Sequence, residues 1–347
     1  MKSLLRKIKV KRSIFVNVYM SRYFIGSPWI GSFFYAVFSA KFRRENYAVL
    51  NGKIEHLKNS KKANIYTLIR NTHRLEKGLL MRPRRDVFAA DYIKETVDNF
   101  EPFYLSATNI EETQLQWSFD VLSEYFSVAG NHSIIDKQRD RFRELVGNKE
   151  VDITKCKLIP YHRQFENKPI ISYEDFYKLT KYRRSVRWFL DKKVPHELVE
   201  KAVLAALQSP SACNRQPFEY FIIEKPDLLK EVVNIPMGIK GYQDNIPMLV
   251  VAVGNLDAYF DERDRHVIYI DASLANMAFM LALETLGLSS CSINWPDIEQ
   301  LEKKMEKVLS LKKYQRPVML MAVGYPDPEG LVAFSEKKNL KDIIKYR

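Results

Sequence analysis

The run Arg183-Arg184-Ser185-Val186-Arg187 gathers three guanidinium groups and a hydroxyl within five residues. A phosphate dianion needs several such donors at once, and a ring that gains negative charge on reduction needs a cation beside it. In an extended segment Arg183, Ser185 and Arg187 project to one side by the period of two, so one short stretch can serve both ends of a long anionic ligand. The same run also fits a kinase target or a solvated face. Its context adds a second donor-rich loop, Ser209-Pro210-Ser211-Ala212-Cys213-Asn214-Arg215-Gln216-Pro217, between a helical pattern and a strand pattern. Further on come Gly287-Leu288-x-x-Cys291-Ser292-Ile293-Asn294-Trp295, then Gly324-Tyr325-Pro326 and the pair Lys337-Lys338.

Other chemistries lack their residues. The six histidines (56, 73, 132, 162, 196 and 266) show no His-Glu-x-x-His or related spacing, so no metal site is expected. Cys156, Cys213 and Cys291 form no Cys-x-x-Cys pair and suit a reducing compartment. Cys213 lies within the donor-rich loop, where a small packed residue and a catalytic thiol are the two readings; no histidine adjoins it in sequence. No Gly-x-Gly-x-x-Gly occurs among the 12 glycines, which argues against a dinucleotide-binding crossover. Met81-Arg82-Pro83-Arg84-Arg85 reads as a cationic loop, either solvated or able to clamp an anion, and Tyr242-Gln243 as a surface loop or a substrate contact.

The elements that must position these residues divide the 347-residue chain into three. Residues 1–62 hold 14 Lys and Arg against Glu45 and Glu55, a net +12 of the whole chain's +13. That arm carries an uncharged aromatic run from Tyr23 to Ala40, broken by Gly26, Pro28 and Gly31 and short of the ~20 apolar residues of a spanning helix. It suits peripheral contact through residues 1–45 with an anionic lipid surface, or a basic helix packed on the protein itself. No nucleic-acid module accompanies the charge, so no nucleic-acid partner is expected. Residues 63–172 read as a helical extension and linker. One helix ends near Gly78 as a C-cap, and a second runs from Glu111 to Phe126 on an apolar face of Leu115, Phe119, Leu122, Tyr125 and Phe126.

Residues 173–347 alternate helix and strand. Pro195–Gln208 reads as a helix, Glu219–Glu224, Pro247–Gly254, Ser290–Trp295 and Pro317–Tyr325 as strands, giving an α+β class with a central sheet. Asp271–Leu286 is a helix apolar nearly all round, which predicts burial on every side, in part against a second subunit.

In order and spacing, Tyr182–Phe189, the Ser-Pro-Ser-x-x-Asn-x-Gln-Pro loop, the Gly287–Trp295 stretch and the closing Gly-Tyr-Pro with Lys337-Lys338 resemble the nitroreductase superfamily of FMN enzymes. The resemblance covers about half the chain. It implies a nitroreductase-like fold, a central, mainly antiparallel sheet flanked by helices, in a domain-swapped homodimer with FMN at the interface. Arg183, Arg184, Ser185 and Arg187 would hold phosphate, ribityl and the N1/O2 side from one chain. Pro210, Ser211, Asn214 and Gln216 would line the flavin from the other. Ile293, Asn294 and Trp295 would present backbone N–H groups to flavin N5 and O4, and Lys337 and Lys338 would close the phosphate site. Arg187 and Asn294 are the catalytic candidates. Trp295 stands where the family often has Gly, so its ring is expected to narrow the pocket or alter the loop. The implied activity is ping-pong hydride transfer from NADH or NADPH to flavin and on to a small-molecule acceptor. His73-Arg74-Leu75-Glu76-Lys77-Gly78 ahead of the domain is similar to nitroreductase-like proteins of bacterial polysaccharide gene clusters, which implies a role in polysaccharide biosynthesis. The expected location is cytoplasmic, peripheral at the inner face of a membrane, with an extension that docks there or covers the active site. The alternative is a non-catalytic or regulatory flavin-binding protein docked at a membrane.

Overall fold

The computed structural model describes residues 15–107, 114–147 and 157–347. Its helices are α1 (Pro28–Val37), α2 (Arg43–Asn59), α3 (Ile65–Leu79), α4 (Ile93–Ser106), α5 (Gln114–Val128), α6 (Ser133–Val146), α7 (Tyr173–Tyr182), α8 (His196–Ala206), α9 (Pro226–Val233), α10 (Val267–Thr285), α11 (Glu299–Val308) and α12 (Leu340–Ile343). The strands are β1 (Phe218–Ile223), β2 (Met248–Asn255), β3 (Ser289–Asn294) and β4 (Gln315–Gly324).

The strands pair antiparallel in the order β1-β2-β4-β3, which leaves β3 at an edge. Because side chains alternate across a strand, β2 feeds two cores. Leu249, Val251 and Val253 pack on the side of α9 and α11, with Val232, Val233 and Met305. Met248, Val250 and Ala252 pack on the other side, against Val199 and Ala202 of α8 and Ala275, Phe279 and Leu283 of α10. This is the α+β class with a central sheet that the sequence pattern predicted, and the mainly antiparallel pairing that the resemblance implied. All eight residues of β2 are buried, which is why its sequence is almost uniformly apolar.

Residues 65–146 make a separate helical core. Leu68 and Leu75 of α3, Val97 and Phe100 of α4, Phe119 and Leu122 of α5 and Phe142 of α6 are its centre. Asn64 starts α3 by accepting hydrogen bonds from Tyr66 N (2.9 Å) and Thr67 N (3.2 Å). Gly78 does not cap this helix, which continues to Leu79. A Cβ there would lie 2.3 Å from the Phe88 ring, so the glycine permits close approach of a ring. The helix expected over Glu111–Phe126 is α5; its first three expected residues lie outside the described ones.

The basic arm is not wholly free of the domain behind it. One face of α2, made of Arg44, Ala48, Gly52 and His56, is buried. The Arg44 guanidinium donates to Glu306 Oε2 (2.9 Å) and to the Lys313 carbonyl (3.0 Å), and His56 Nδ1 lies 2.7 Å from the Asp257 carbonyl. Gly52 sits against Leu256, where a Cβ would meet backbone at 2.7 Å. One face of α2 is thus packed on the protein itself, while Tyr47, Leu50, Ile54 and Leu57 on its other face stay exposed.

Candidate active site

The expected cofactor residues form two separate groups. Arg183–Arg187 runs beside the start of β3: Ser185 and Ser290 form a parallel bridge, and Val186 N donates to the Ser290 carbonyl (3.0 Å). Asn245 fixes the far end of this segment. Its side chain accepts from Phe189 N (2.6 Å) and donates to the Phe189 carbonyl (3.0 Å). Arg187 is exposed, with its guanidinium 5.8 Å from the centre of the Tyr242 ring. Tyr242 is thus part of this group and packs on the core, contrary to the surface-loop reading. Its hydroxyl lies 3.9 Å from Cys291 Sγ, and burial first, then Cys291, pushes its pKa up to about 12. Arg184 donates to the Phe334 carbonyl (3.1 Å), which ties the C-terminal segment to this edge; Lys337 and Lys338 follow on it, both exposed.

The second group is the loop after α8. Asp271, in the first turns of α10, accepts from Ser211 Oγ (2.6 Å) and Ala212 N (3.0 Å), and Ser211 Oγ accepts from Gln216 N (2.7 Å). Gln216 Nε2 donates to Asn214 Oδ1 (3.1 Å). Cys213 (φ 55°), Asn214 (φ 55°) and Gln216 (φ 49°) all sit in the left-handed region, a concentration of backbone strain that such a bonded frame can hold. Burial raises the Asp271 pKa, opposed by the bonds from Ser211 and Ala212. Arg215 is buried, its guanidinium 4.9 Å from the centre of the Tyr259 ring.

These groups lie at opposite ends of α10. Asp271 holds the loop near its start. Glu284, near its end, faces Arg183 and accepts from Ser289 Oγ (3.1 Å). Thirteen residues of helix separate the two acids by about 20 Å, too far for both groups of one chain to hold one ring. Asp271 and Glu284 are the only charged residues of α10, so each charge on an otherwise apolar helix marks one group. Glu284 is raised to about 7, by burial first, with the Ser289 hydrogen bond and then Arg183 opposing. Arg183 Nε, Ser290 Oγ and Glu284 Oε1 are buried without a hydrogen-bond partner.

Ile293 and Trp295 point into the core, and Asn294 between them is exposed at the end of β3. The Trp295 ring does not narrow a pocket. It is 8% exposed and its indole donates to Glu302 Oε1 (2.5 Å), which is ion-paired with the buried Arg316. Past the bridge at Ser290, the outer edge of β3 has no strand neighbour among the described residues.

Pro210, Ser211, Asn214 and Gln216 all line one open cleft of about 810 Å³. Its other wall comes from the helical extension: His73 and Glu76 of α3, Gln114 and Trp117 of α5, and Leu158. The sequence reading placed none of these in the site, because their separation from the loop, from about 50 residues for Leu158 to about 140 for His73, hides their proximity. No cluster of His, Cys, Asp and Glu able to hold a metal occurs among the described residues.

Residues 180–239 and 236–325 match the family model described as Nitroreductase family. Residues 180–325 belong to the nitroreductase family. A Methanothermobacter thermautotrophicus protein assigned as an NADH dehydrogenase/NAD(P)H nitroreductase is 26% identical over 160 residues, 45% of this chain and 80% of that one. Human iodotyrosine deiodinase 1 is 24% identical over 216 residues, 54% of this chain and 74% of its own. Among solved structures, an FMN-dependent nitroreductase from Clostridium difficile shares 24% identity over 47% of this chain and 92% of its own, with a TM-score of 0.39. The matched nitroreductase segment contains Arg183–Arg187, the Pro210–Gln216 loop and the whole sheet, while α1 to α6 lie ahead of it and Lys337 and Lys338 beyond it.

Proposed function

We propose that the protein is an FMN-dependent oxidoreductase, working as a homodimer, that takes hydride from NADH or NADPH and passes it to a small-molecule acceptor in a ping-pong cycle. The observation that carries this reading is the separation of two complementary residue groups along α10. Each is half of a flavin site, and a two-fold partner would bring the Arg183–Arg187 group of one chain to the Pro210–Gln216 loop of the other.

The residues present fit the flavin. Arg183 Nε and Ser290 Oγ are buried donors without partners in the group that would take phosphate and ribityl, and such atoms are costly unless a ligand completes them. Arg184, Ser185, Lys337 and Lys338 supply further donors for phosphate. Arg187 offers a cation to the N1/O2 side, where negative charge grows on reduction. Ile293, Asn294 and Trp295 contribute through backbone at the open edge of β3. Bound flavin would supply hydride transfer at its N5. The dimer reading is also supported by α10, whose Ile270, Leu274 and Met277 form an exposed apolar stripe. Burying each side chain would contribute roughly 1.5–3 kcal/mol.

Purified protein should carry yellow, releasable FMN that NADH or NADPH bleaches without air. A colourless protein that FMN cannot reconstitute would remove the flavin. A bound flavin bleached by neither donor would favour a non-catalytic or regulatory flavoprotein instead.

For location, we propose a cytoplasmic protein with peripheral membrane contact. Tyr23 (84% exposed), Ile25 (83%) and Trp29 (87%) stand clear of the surface beside Arg22, an arrangement suited to an anionic head-group layer. Vesicles containing phosphatidylglycerol should sediment the protein in low salt and release it in high salt; indifference to lipid charge would contradict this contact.

A further inference from the structure

We infer that His73 is the proton donor to the acceptor, held for that task by Glu76 and Trp117 of the helical extension; this rests on the oxidoreductase reading above. Both oxygens of the Glu76 carboxylate are engaged. Oε1 accepts from the Trp117 indole Nε1 (2.9 Å), and Oε2 lies 3.4 Å from His73 Nδ1. Trp117 therefore fixes the carboxylate, and the carboxylate fixes the imidazole. With Nδ1 turned to Glu76, Nε2 is left without a protein hydrogen bond among the described residues, on a side chain that lines the cleft. His73 and Glu76 stand three residues apart on α3, whose packing against α5 is closed by Thr72 Oγ1 donating to Ser118 Oγ (3.1 Å), so the pair sits on rigid elements.

The cleft also states what kind of acceptor it suits. Trp117, Leu158 and Pro210 give it apolar flanks. Gln114 and Asn214 present side-chain amides, Asn214 with its oxygen already occupied by Gln216 and its NH2 left as donor. Apolar lining with amide donors among it fits a planar ring bearing oxygen, such as a quinone. Two-electron reduction of a quinone delivers hydride to one carbonyl oxygen and requires a proton at the other. The imidazolium Nε2–H of His73 gives that proton, forming the second O–H of the hydroquinone, and water at the open mouth of the cleft returns a proton to the ring. The reductant is the reduced flavin, oxidised by the same two electrons. His73 is catalytic in this scheme; Glu76 and Trp117 are positioning residues.

The test uses the full-length flavoprotein with menadione as probe, comparing wild type with His73→Asn, His73→Ala and Glu76→Gln. Donor bleaching of flavin, which needs no proton from His73, should persist in all of them. Reoxidation by menadione should slow by roughly 100-fold in the His73 variants, and added imidazole should restore it in His73→Ala. Ferricyanide takes electrons without a proton and should reoxidise every variant at the wild-type rate. Nitrogen-15 histidine spectra of the flavin-free protein should show a proton on His73 Nδ1, with a signal that shifts in Glu76→Gln and in Trp117→Phe. Menadione rates equal to wild type in both His73 variants, or a His73 signal indifferent to Glu76 and Trp117, would overturn the inference. Failure of the donor to bleach wild-type flavin would instead sink the oxidoreductase reading itself.

Discussion

Arg187 and Glu284 stand at the same end of α10 and predict different things. Arg187 is exposed beside the Tyr242 ring, so its removal should leave folding intact. Arg187→Ala should bind FMN more weakly and slow its reduction by roughly 10²-fold, measured by flavin fluorescence and by anaerobic bleaching. Glu284 has its folded pKa raised from 4.5 to about 7, so the folded state prefers its protonated form. Stability from this group is full below the unfolded value and is lost as pH rises toward 7. Glu284→Gln should therefore raise the melting temperature at about pH 8 and leave it unchanged near pH 4, where the wild-type carboxyl is already protonated; equal melting at pH 8 would contradict this. The Arg-Arg-Ser-x-Arg run and the Asn214 loop were legible because donors crowd there in sequence. Asp271, Asn245 and Ser290 were not, since each works through bonds to a segment distant in the chain. The signal that could have found Asp271 and Glu284 was their isolation as the only charges of an apolar helix. The Trp295 ring was misjudged because its partners, Glu302 and Arg316, form a buried ion pair that spacing cannot reveal.

At the scale of elements, the strands and α8 were legible from periodicity, with ends moved by one or two residues. Longer runs of alternation or of β-branched residues leave little choice of structure once both faces are buried. What periodicity could not show was how elements meet. Gly78 looked like a helix end, and the Phe88 ring that demands it lies ten residues further on. Likewise α2 carries apolar and charged residues on both faces, and only the fold shows which face is seated. Gly52→Leu places side-chain atoms where Leu256 backbone already lies and should cost about 1–3 kcal/mol, seen as a lower urea midpoint with faster proteolysis in residues 1–62. Asp271→Ala removes the acceptor of both Ser211 Oγ and Ala212 N. It should cost roughly 1–3 kcal/mol and release FMN, because the strained 213–216 loop loses its frame; FMN affinity equal to wild type would contradict that role.

For the whole molecule, the exposed stripe of Ile270, Leu274 and Met277 and the division of the flavin residues argue for the same assembly. Leu274→Glu should shift the protein to monomer in sedimentation and lose FMN with it. The sequence already suggested a second subunit, since an apolar α10 cannot be covered by one small domain. An extension over the active site was one of the two roles the sequence suggested, but which of its residues would face the site was out of reach, because nothing in α3 or α5 marks them as the wall of a cleft closed by residues 210–216. The central claim is that each flavin is held by two chains, and subunit complementation tests it most directly. One chain carries Arg183→Ala and Arg187→Ala; the other carries Ser211→Ala and Gln216→Ala. Each alone should fold and fail to bind FMN. Co-expressed, they should regain FMN and donor-dependent bleaching, because one site of each mixed dimer combines the intact halves. A mixed dimer without flavin, beside a wild type that binds it, would contradict the account.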